Sequence, residues 1–316
     1  MLGVIDVASS PAARAAVLGV LERAKQNNDL HIAGTPPFHL DASFDASGHV
    51  QHVGTGALSQ TWLSGQRWRW TASLGPYTQV RLGSGNVGYD ESPVQAVPTR
   101  VQMLRQAIFW PVRVLGERRL RVATARIGRL PVTCVLMGRH DAPEPAERLW
   151  NEEEYCIDTE GLPRMFSPAR GAYTHFDYSR AIRFGGRVLP ARITMFLGGV
   201  QVIDARLTIR DAGSPDAQLF EPTPDMMSKG LGVALTVAPS LTINVWRQNV
   251  AADSVVVVHA SVDTTGAVHD AEVASGDPQL TQWSLARVKA HRFQDTGTQR
   301  DIYVGLVFHS NAPVTP

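Results

Sequence analysis

The sequence predicts a mainly β, α+β protein: one large antiparallel sheet with helices, curved or closed into a barrel, followed by a small α+β module. Three observations predict this fold class. Short apolar runs separated by turn residues about every 8–12 residues fill the first two thirds of the chain. Apolar and polar residues alternate from Phe38 to Phe44, as in a strand with one buried face. Near the C-terminus, Asp253–Phe293 and Asp301–Ser310 follow the pattern strand, turn, strand, capped helix, strand.

The first elements follow from local signals. Ser9 or Ser10 can cap a helix in which Pro11 suits the first turn, and Asn27 and Asn28 end it. A second helix is expected within Thr99–Leu115, broken before Pro111. The remaining segments of the first two thirds are predicted strands: 38–45, 49–63, 67–74, 78–83, 121–128, 132–138, 148–158, 161–168, 174–185, 187–199 and 201–212.

The C-terminal module is predicted from its turn and its helix cap. Residues 263–266 supply a hairpin turn in which Gly266 can take a positive φ. Asp277 can cap the helix that Pro278 begins, and Leu280, Ser284 and Val288 form a stripe that can cover the hairpin. We expect a three-stranded sheet with an exposed edge, which could accept a strand from a partner.

The domain organisation is predicted from one change in composition. Residues 211–229 are rich in Pro, Asp and Ser and show neither a helical nor a strand period, so we interpret them as a linker. The expected domains are therefore 1–210 and 230–316. A chain of 316 residues with 44% hydrophobic residues has enough material for both cores.

Charge and hydropathy exclude some classes of function. The net charge of +1 argues against a nucleic-acid partner, which usually requires a basic surface. No segment approaches the ~18 uninterrupted apolar residues of a membrane helix. The opening MLGVIDVASSP lacks the features of a secretory signal. The location stays open on this ground: a native full-length chain would be cytoplasmic, whereas a mature form with an added Met1 would have been exported.

Cys134 and Cys156 are the only cysteines, and each lies in a predicted strand. Neighbouring strands could bring them within bonding distance, and a disulfide would close a loop of roughly 20 residues and stabilise the fold by about 3 kcal/mol. The alternative is a pair of buried thiols in a reducing compartment. Two cysteines alone do not make the four-ligand site of a structural zinc.

The C-terminal residues resemble the C-terminal domain of the TonB family. The shared pattern is VVVHASVDTTGAVHDAEVASGDPQL, then a helix, HRF and a strand ending in VGLVF. The resemblance implies a periplasmic, non-catalytic domain that binds envelope proteins by strand pairing. The chain lacks the family's N-terminal membrane helix and Pro-rich spacer, and LTINVWRQN stands where a Tyr-Pro pair is usual. A periplasmic adaptor or recognition role is therefore expected rather than the energising of transport.

The N-terminal region looks like the lipoprotein-carrier superfamily of LolA-like and LolB-like proteins. The residues concerned are GTGALSQTWLSGQRWRW, YCIDTEGLPRMF and FGGRVLPARITMF. The resemblance implies an exported half-barrel sheet that wraps helices around an apolar cavity for lipid or lipoprotein acyl chains. The positions that would border such a cavity are Trp62, Trp68, Trp70, Met103 and Phe109. The alternative is that these side chains belong to an ordinary core.

Other candidate chemistry was weighed and set aside. His39 and Asp41 share one face of a strand, as metal ligands would, but that face is expected to be solvated. His259 and His269 are expected to be a surface pair across the C-terminal hairpin. Residues 152–154, a run of three glutamates, are predicted to be solvated at a strand start. The sequence has no G-x-S-x-G motif, and we predict no catalytic residue, metal or cofactor.

The combined prediction is a non-catalytic binding protein of the cell envelope, periplasmic or associated with the outer membrane. Its first domain would hold an apolar ligand, and its second would recognise an envelope protein through an edge strand. The alternatives are a purely structural or signalling adaptor and a hydrolase on a β scaffold.

Overall fold

A computed structural model describes residues 6–7, 10–91, 96–113, 119–138, 148–230, 240–247 and 254–310. The helices are α1 (Pro11–Asn28), α2 (Thr99–Phe109) and α3 (Pro278–Lys289), and Ala217–Phe220 forms a short 3-10 helix. The strands are β1 (Asp6–Val7), β2 (Phe38–Ala46), β3 (Gly54–Ser64), β4 (Arg67–Leu74), β5 (Tyr77–Ser84), β6 (Val87–Asp90), β7 (Arg119–Ile127), β8 (Leu130–Gly138), β9 (Glu153–Asp158), β10 (Pro163–Ala169), β11 (Ala172–Asp177), β12 (Ile182–Phe184), β13 (Arg187–Leu189), β14 (Arg192–Leu197), β15 (Val200–Asp211), β16 (Met227–Gly230), β17 (Ser240–Arg247), β18 (Ser254–Val262), β19 (Val268–Ser275) and β20 (Arg300–Ser310).

Most strands belong to one sheet of fourteen strands within the described residues. Its order is β1-β7-β8-β9-β10-β11-β14-β15-β2-β3-β4-β5-β6-β16, and every neighbouring pair is antiparallel. The long pairing of β15 with β2 joins two meanders into one surface. The sheet is open and curved, and β12 and β13 form a separate hairpin. The predicted mainly β fold class is confirmed.

Alternation along the strands gives the sheet one buried face, here called the inner face. In β2 the side chains of Phe38, Leu40, Ala42 and Phe44 are buried, and in β4 every second residue is buried as well. Helices α1 and α2 cover this face and share one hydrophobic core with it. The alternation predicted for Phe38–Phe44 is therefore confirmed.

The predicted helix boundaries are also confirmed. Ser10 caps α1, since its Oγ accepts a hydrogen bond from the Ala13 amide at 3.1 Å. Helix α2 ends at Phe109, two residues before Pro111. Within the described part of the chain, no helix has the length and apolar character that crossing a membrane requires.

The C-terminal module contains α3 and a sheet of four strands in the order β17-β20-β18-β19. We expected three strands, and that was wrong because β17 pairs in parallel with β20, a long-range contact that no local pattern reveals. The predicted turn is confirmed: Gly266 has a φ of 85°, and the Asp263 carboxylate accepts from the Thr265 and Ala267 amides. Asp277 caps α3 by accepting from the Gln279 amide at 2.9 Å.

The segment 211–229, predicted as a linker, runs along the sheet. It contains the 3-10 helix, where Phe220 is buried beneath the guanidinium of Arg67 at 5.1 Å. Its last residues enter β16, which pairs with β6. The division into two domains stays a prediction, because the C-terminal module shares part of its core with the large sheet through Val257, Ala274 and Tyr303.

Candidate functional site

An aromatic cluster lies on the inner face around His31, in the loop after α1. The His31 ring lies 4.9 Å from Phe109, 5.5 Å from Trp110 and 5.9 Å from Trp62, measured between ring centroids. Phe38 extends the cluster towards Phe184 at 6.3 Å. We call this set the aromatic cluster: His31, Phe38, Trp62, Phe109, Trp110 and Phe184.

Several chain segments bring these rings together. Phe38 and Trp62 face each other in the β2–β3 register, with their ring centroids 5.5 Å apart. Phe109 and Trp110 stand at the C-terminal end of α2, where the helix stops before a proline. Because this end of α2 lies over the paired strands, aromatic side chains from a helix, a loop and a sheet meet at one place.

His31 is held neutral within this cluster. Its pKa is lowered to about 4, chiefly because burial disfavours the charged imidazolium and also because Arg105 is near. Its Nε2 lies 3.1 Å from the Gln60 Oε1, a buried acceptor on β3. The aromatic cluster therefore carries no charge from its histidine at neutral pH.

Arg105 of α2 lies beside the cluster and is packed on rings. Its guanidinium carbon is 4.8 Å from the ring centroid of Trp70 and 5.5 Å from that of Trp110. Burial, and then the like charge of Arg81, lowers the pKa of Arg105 to about 9, so the side chain remains a cation at neutral pH. Arg105 thus places a positive charge at the edge of an otherwise uncharged aromatic surface.

The predicted cavity positions differ in how they relate to the aromatic cluster. Trp62 and Phe109 meet at His31, and Trp70 is joined to the cluster through Arg105. Trp68 is buried on the same face of β4 and packs directly over Gly83. Met103 is partly buried and packs against the core, and its sulfur lies 3.5 Å from the guanidinium of Arg100. Their role as ligand neighbours stays a prediction.

Sequence reasoning missed His31, Trp110, Phe184 and Arg105. Arg105 had one available signal, because it precedes the buried Phe109 by four residues on α2 and so lies on the adjacent turn of the same side. A charged residue at that position of an amphipathic helix normally marks the boundary of the buried stripe, so the signal did not indicate a site.

The N-terminal end of α2 is held by the C-terminal module. Arg100 is fully buried and pairs with Glu272, while the Thr99 hydroxyl donates to Asp270 at 3.1 Å. The Gln299 amide exchanges hydrogen bonds of 2.8 and 2.7 Å with the backbone of Val97. The helix that carries Arg105 and Phe109 is therefore anchored to the module at its other end.

The glutamate run 152–154 is buried, so the prediction that it is solvated was wrong. Glu152, Glu153 and Glu154 are 1%, 4% and 3% exposed. Strand β9 lies inside the sheet with all its residues buried, and arginines from outside this strand pair with the run. The pairs are Arg121 with Glu152, Arg113 with Glu153 at 3.3 Å, and Arg148 with Glu154 at 2.8 Å.

Cys134 and Cys156 form a disulfide, as predicted for two neighbouring strands. They lie directly opposite each other in the β8–β9 register. Glu154 lies close to both sulfurs, and among the described residues these three alone group together as metal ligands would. Because both sulfurs are used in the disulfide, this group does not offer a pair of thiolates to a metal ion.

The histidines singled out from the sequence have separate environments. His39 and Asp41 share the outer face of β2, with 3.1 Å between the His39 Nε2 and the Asp41 Oδ1. The surface pairing of His259 with His269 was wrong. His259 is 2% exposed and faces Glu272 across the hairpin, because β18 and β19 pair in a different register.

No protein-family model and no curated protein matches the chain. Among solved structures, it is similar to a LolA superfamily protein from Nitrosomonas europaea, with 12% identity and a TM-score of 0.41 over 65% of this chain and 96% of that one. A putative outer membrane lipoprotein-sorting protein domain from Vibrio parahaemolyticus is 8% identical, with a TM-score of 0.39 over 64% of this chain and 95% of that one. A DUF1329 family protein from Desulfovibrio piger is 8% identical, with a TM-score of 0.41 over 66% of this chain and 96% of that one. Similarities of this size do not assign the chain to a family.

Proposed function

We propose that the protein is a non-catalytic binding protein of the cell envelope that takes a lipid or lipoprotein acyl chain at the aromatic cluster. One observation carries the proposal: the cluster continues from the core to the surface. Phe38, Trp62 and Phe109 are buried, whereas His31, Trp110 and Phe184 are partly exposed. Uncharged rings that continue from a buried core to the surface suit an apolar chain, because such a ligand gains by leaving water.

The envelope location is supported by the disulfide. Cytosolic thiols are normally kept reduced, whereas disulfides persist in the periplasm and at cell surfaces. The Cys134–Cys156 bond is fully inside the sheet, with both sulfur-bearing residues at most 2% exposed. A periplasmic or outer-membrane-associated protein would retain this bond.

We propose a second role for the C-terminal module, the strand-pairing recognition of an envelope protein. Strand β17 is an edge of the module, and within the described residues no strand pairs with its outer side. This strand exposes Trp246 (61%) and Leu241 (38%) to solvent. An edge with free backbone groups and exposed apolar side chains is suited to accept a strand from another protein.

Native mass spectrometry tests the main proposal directly. Protein purified from an envelope fraction, non-reduced, would be measured before and after organic extraction. We expect a lipid-sized mass that is lost on extraction and a protein mass two hydrogens below that of the reduced chain, as one disulfide requires.

The variant Trp110→Ala provides a matched comparison, because Trp110 is partly exposed and its removal shortens the cluster at the surface. We expect this variant to retain less of the lipid-sized mass than the wild type. Wild-type protein that carries no lipid and takes up none from acyl-chain micelles would contradict the binding role. The adaptor alternative would then be preferred.

A further inference from the structure

Arg105 differs in its contacts from the interior arginines that form ion pairs. In five such pairs a buried or half-buried guanidinium meets a carboxylate: Arg100–Glu272, Arg113–Glu153, Arg121–Glu152, Arg148–Glu154 and Arg164–Asp158. Among the described residues, Arg105 has neither an ion pair nor a hydrogen bond, and its Nε is buried without an acceptor. Within the part of the chain that the structure describes, its guanidinium packs on the rings of Trp70 and Trp110.

The surroundings of Arg105 leave its charge uncompensated. Arg81 is the neighbouring cation, and it is paired with Asp90 at 3.3 Å. Asp90 is also bound by Gln79, which donates to it at 2.7 Å and accepts from the Tyr77 hydroxyl. The carboxylate is thus committed to this network, and one net positive charge remains at Arg105. Since an isolated cation loses hydration when it is buried, a bound anion would offset that cost.

A second unpartnered donor lies against the same guanidinium. Trp70 is 1% exposed, and its indole Nε1–H finds no acceptor among the described residues. Buried polar groups in folded proteins are nearly always hydrogen-bonded, so each exception calls for an explanation. Trp70 and Arg105 can only donate at these atoms, and both therefore require an acceptor that the described chain does not supply.

We infer that Arg105 and Trp70 bind the head group of a long-chain carboxylate whose apolar tail lies along the aromatic cluster. This inference rests on the function proposed above and specifies the ligand's polar end. A carboxylate matches the single net charge and the fork of the guanidinium, whereas a phosphate monoester carries about −1.5 to −2 charges at neutral pH. Trp110 belongs to the cluster and also covers Arg105, so head group and tail would be adjacent.

The test compares palmitate with hexadecanol, which have the same chain length but differ in charge. Binding is followed by calorimetry and by the tryptophan fluorescence of the protein. We expect the wild type to prefer palmitate by about 10- to 100-fold, as hydrogen bonds to charged groups imply. Arg105→Met should remove this preference by lowering the affinity for palmitate to about that for hexadecanol. Trp70→Phe keeps an aromatic face but removes the Nε1–H, and should weaken palmitate binding by about 5-fold.

Arg69→Met is the matched control, since Arg69 lies next to Trp70 on β4 but on the opposite face, and its Nη1 donates to the Leu219 carbonyl at 3.3 Å. It removes the same charge and should leave both affinities unchanged. Arg105→Lys retains the charge but not the forked guanidinium, so its preference for palmitate over hexadecanol should lie between those of the wild type and Arg105→Met. This variant provides the test if Arg105→Met does not fold. Acetate in large excess should not displace palmitate; displacement would indicate a site for small free carboxylates and overturn the inference.

The two proposals fail in different ways. If the wild type binds neither palmitate nor hexadecanol, the acyl-chain function itself is wrong. If it binds both equally, or if Arg105→Met weakens both to the same extent, apolar binding stands and the carboxylate site is wrong.

Discussion

Two regions of the protein surround their arginines differently. Near β7–β9, arginines meet glutamates; the Arg121 Nε, for example, donates a hydrogen bond of 2.9 Å to the Glu152 Oε1. Beneath α2, Arg105 is surrounded by rings and has no carboxylate among the described residues. Arg121 has its carboxylate partner within the fold, whereas Arg105 gains an acceptor when a ligand binds. What separates a structural ion pair from a binding site here is the partner of the guanidinium: a carboxylate for Arg121, and two aromatic rings for Arg105.

The largest expected effect lies in the matched region. Arg121→Met would leave Glu152 buried at 1% exposure without its cation, and breaking such a pair typically destabilises a protein by about 3–5 kcal/mol. Urea denaturation would measure the change in the free energy of unfolding. The double variant Arg121→Met/Glu152→Gln is the control. In the wild type the Leu149 N–H donates to the Glu152 Oε2 at 2.8 Å, and the glutamine amide oxygen can accept this hydrogen bond without carrying a charge. The double variant should therefore recover much of the lost stability. A loss under about 1 kcal/mol for the single variant would contradict the structural role.

A second prediction concerns Asp301, a largely buried carboxylate that, within the described residues, forms no ion pair with an arginine or a lysine. Burial raises the pKa of Asp301 to about 7, and the nearby His259, 4.0 Å away, is kept neutral because burial lowers its pKa to about 3. A carboxylate can escape the cost of burial by binding a proton, whereas a guanidinium remains charged.

The raised pKa gives the pH dependence its sign. From pH 4 to pH 7 the unfolded chain has already released the Asp301 proton while the folded protein still holds it, so this group's contribution to stability is lost as pH rises through the folded pKa. Asp301→Asn should therefore stabilise the protein at pH 8 by about 1–3 kcal/mol and change little at pH 4. Thermal unfolding of both proteins across this range measures it. An equal effect at both pH values would show that Asp301 does not titrate in this window.

Local signals in the sequence were sufficient for several of the elements. The alternation of β2, the caps at Ser10 and Asp277 and the glycine turn at Gly266 depend on neighbouring residues alone, and each is found in the structure. Trp62 and Phe109 were proposed as cavity neighbours on the resemblance to lipoprotein carriers; both are buried, and their role as ligand neighbours stays a prediction.

What the sequence could not provide depends on contacts between distant segments. The glutamate run at 152–154 looks solvated until β9 is placed inside the sheet, where Arg113, Arg121 and Arg148 pair with it. The parallel pairing of β17 with β20 joins residues about sixty positions apart, as for Ser240 and Tyr303. Arg105 presents the converse case, because its guanidinium meets rings rather than a carboxylate among the described residues, and only the packed structure shows which side chains surround it.

The smallest effect is expected at Arg105 itself, and it sharpens the comparison most. In the ligand-free protein, Arg105→Met replaces an uncompensated cation on Trp70 with an apolar side chain that can occupy similar space. We expect the free energy of unfolding to stay the same or to rise by up to about 1 kcal/mol, because the desolvation of the charge is removed while some cation–π attraction is lost. Urea denaturation under the conditions used for Arg121→Met gives the direct contrast. A loss of stability of about 3 kcal/mol or more would mean that Arg105 is a structural residue like Arg121. An unchanged or raised stability, together with the loss of palmitate preference, is the result expected of a ligand-binding residue.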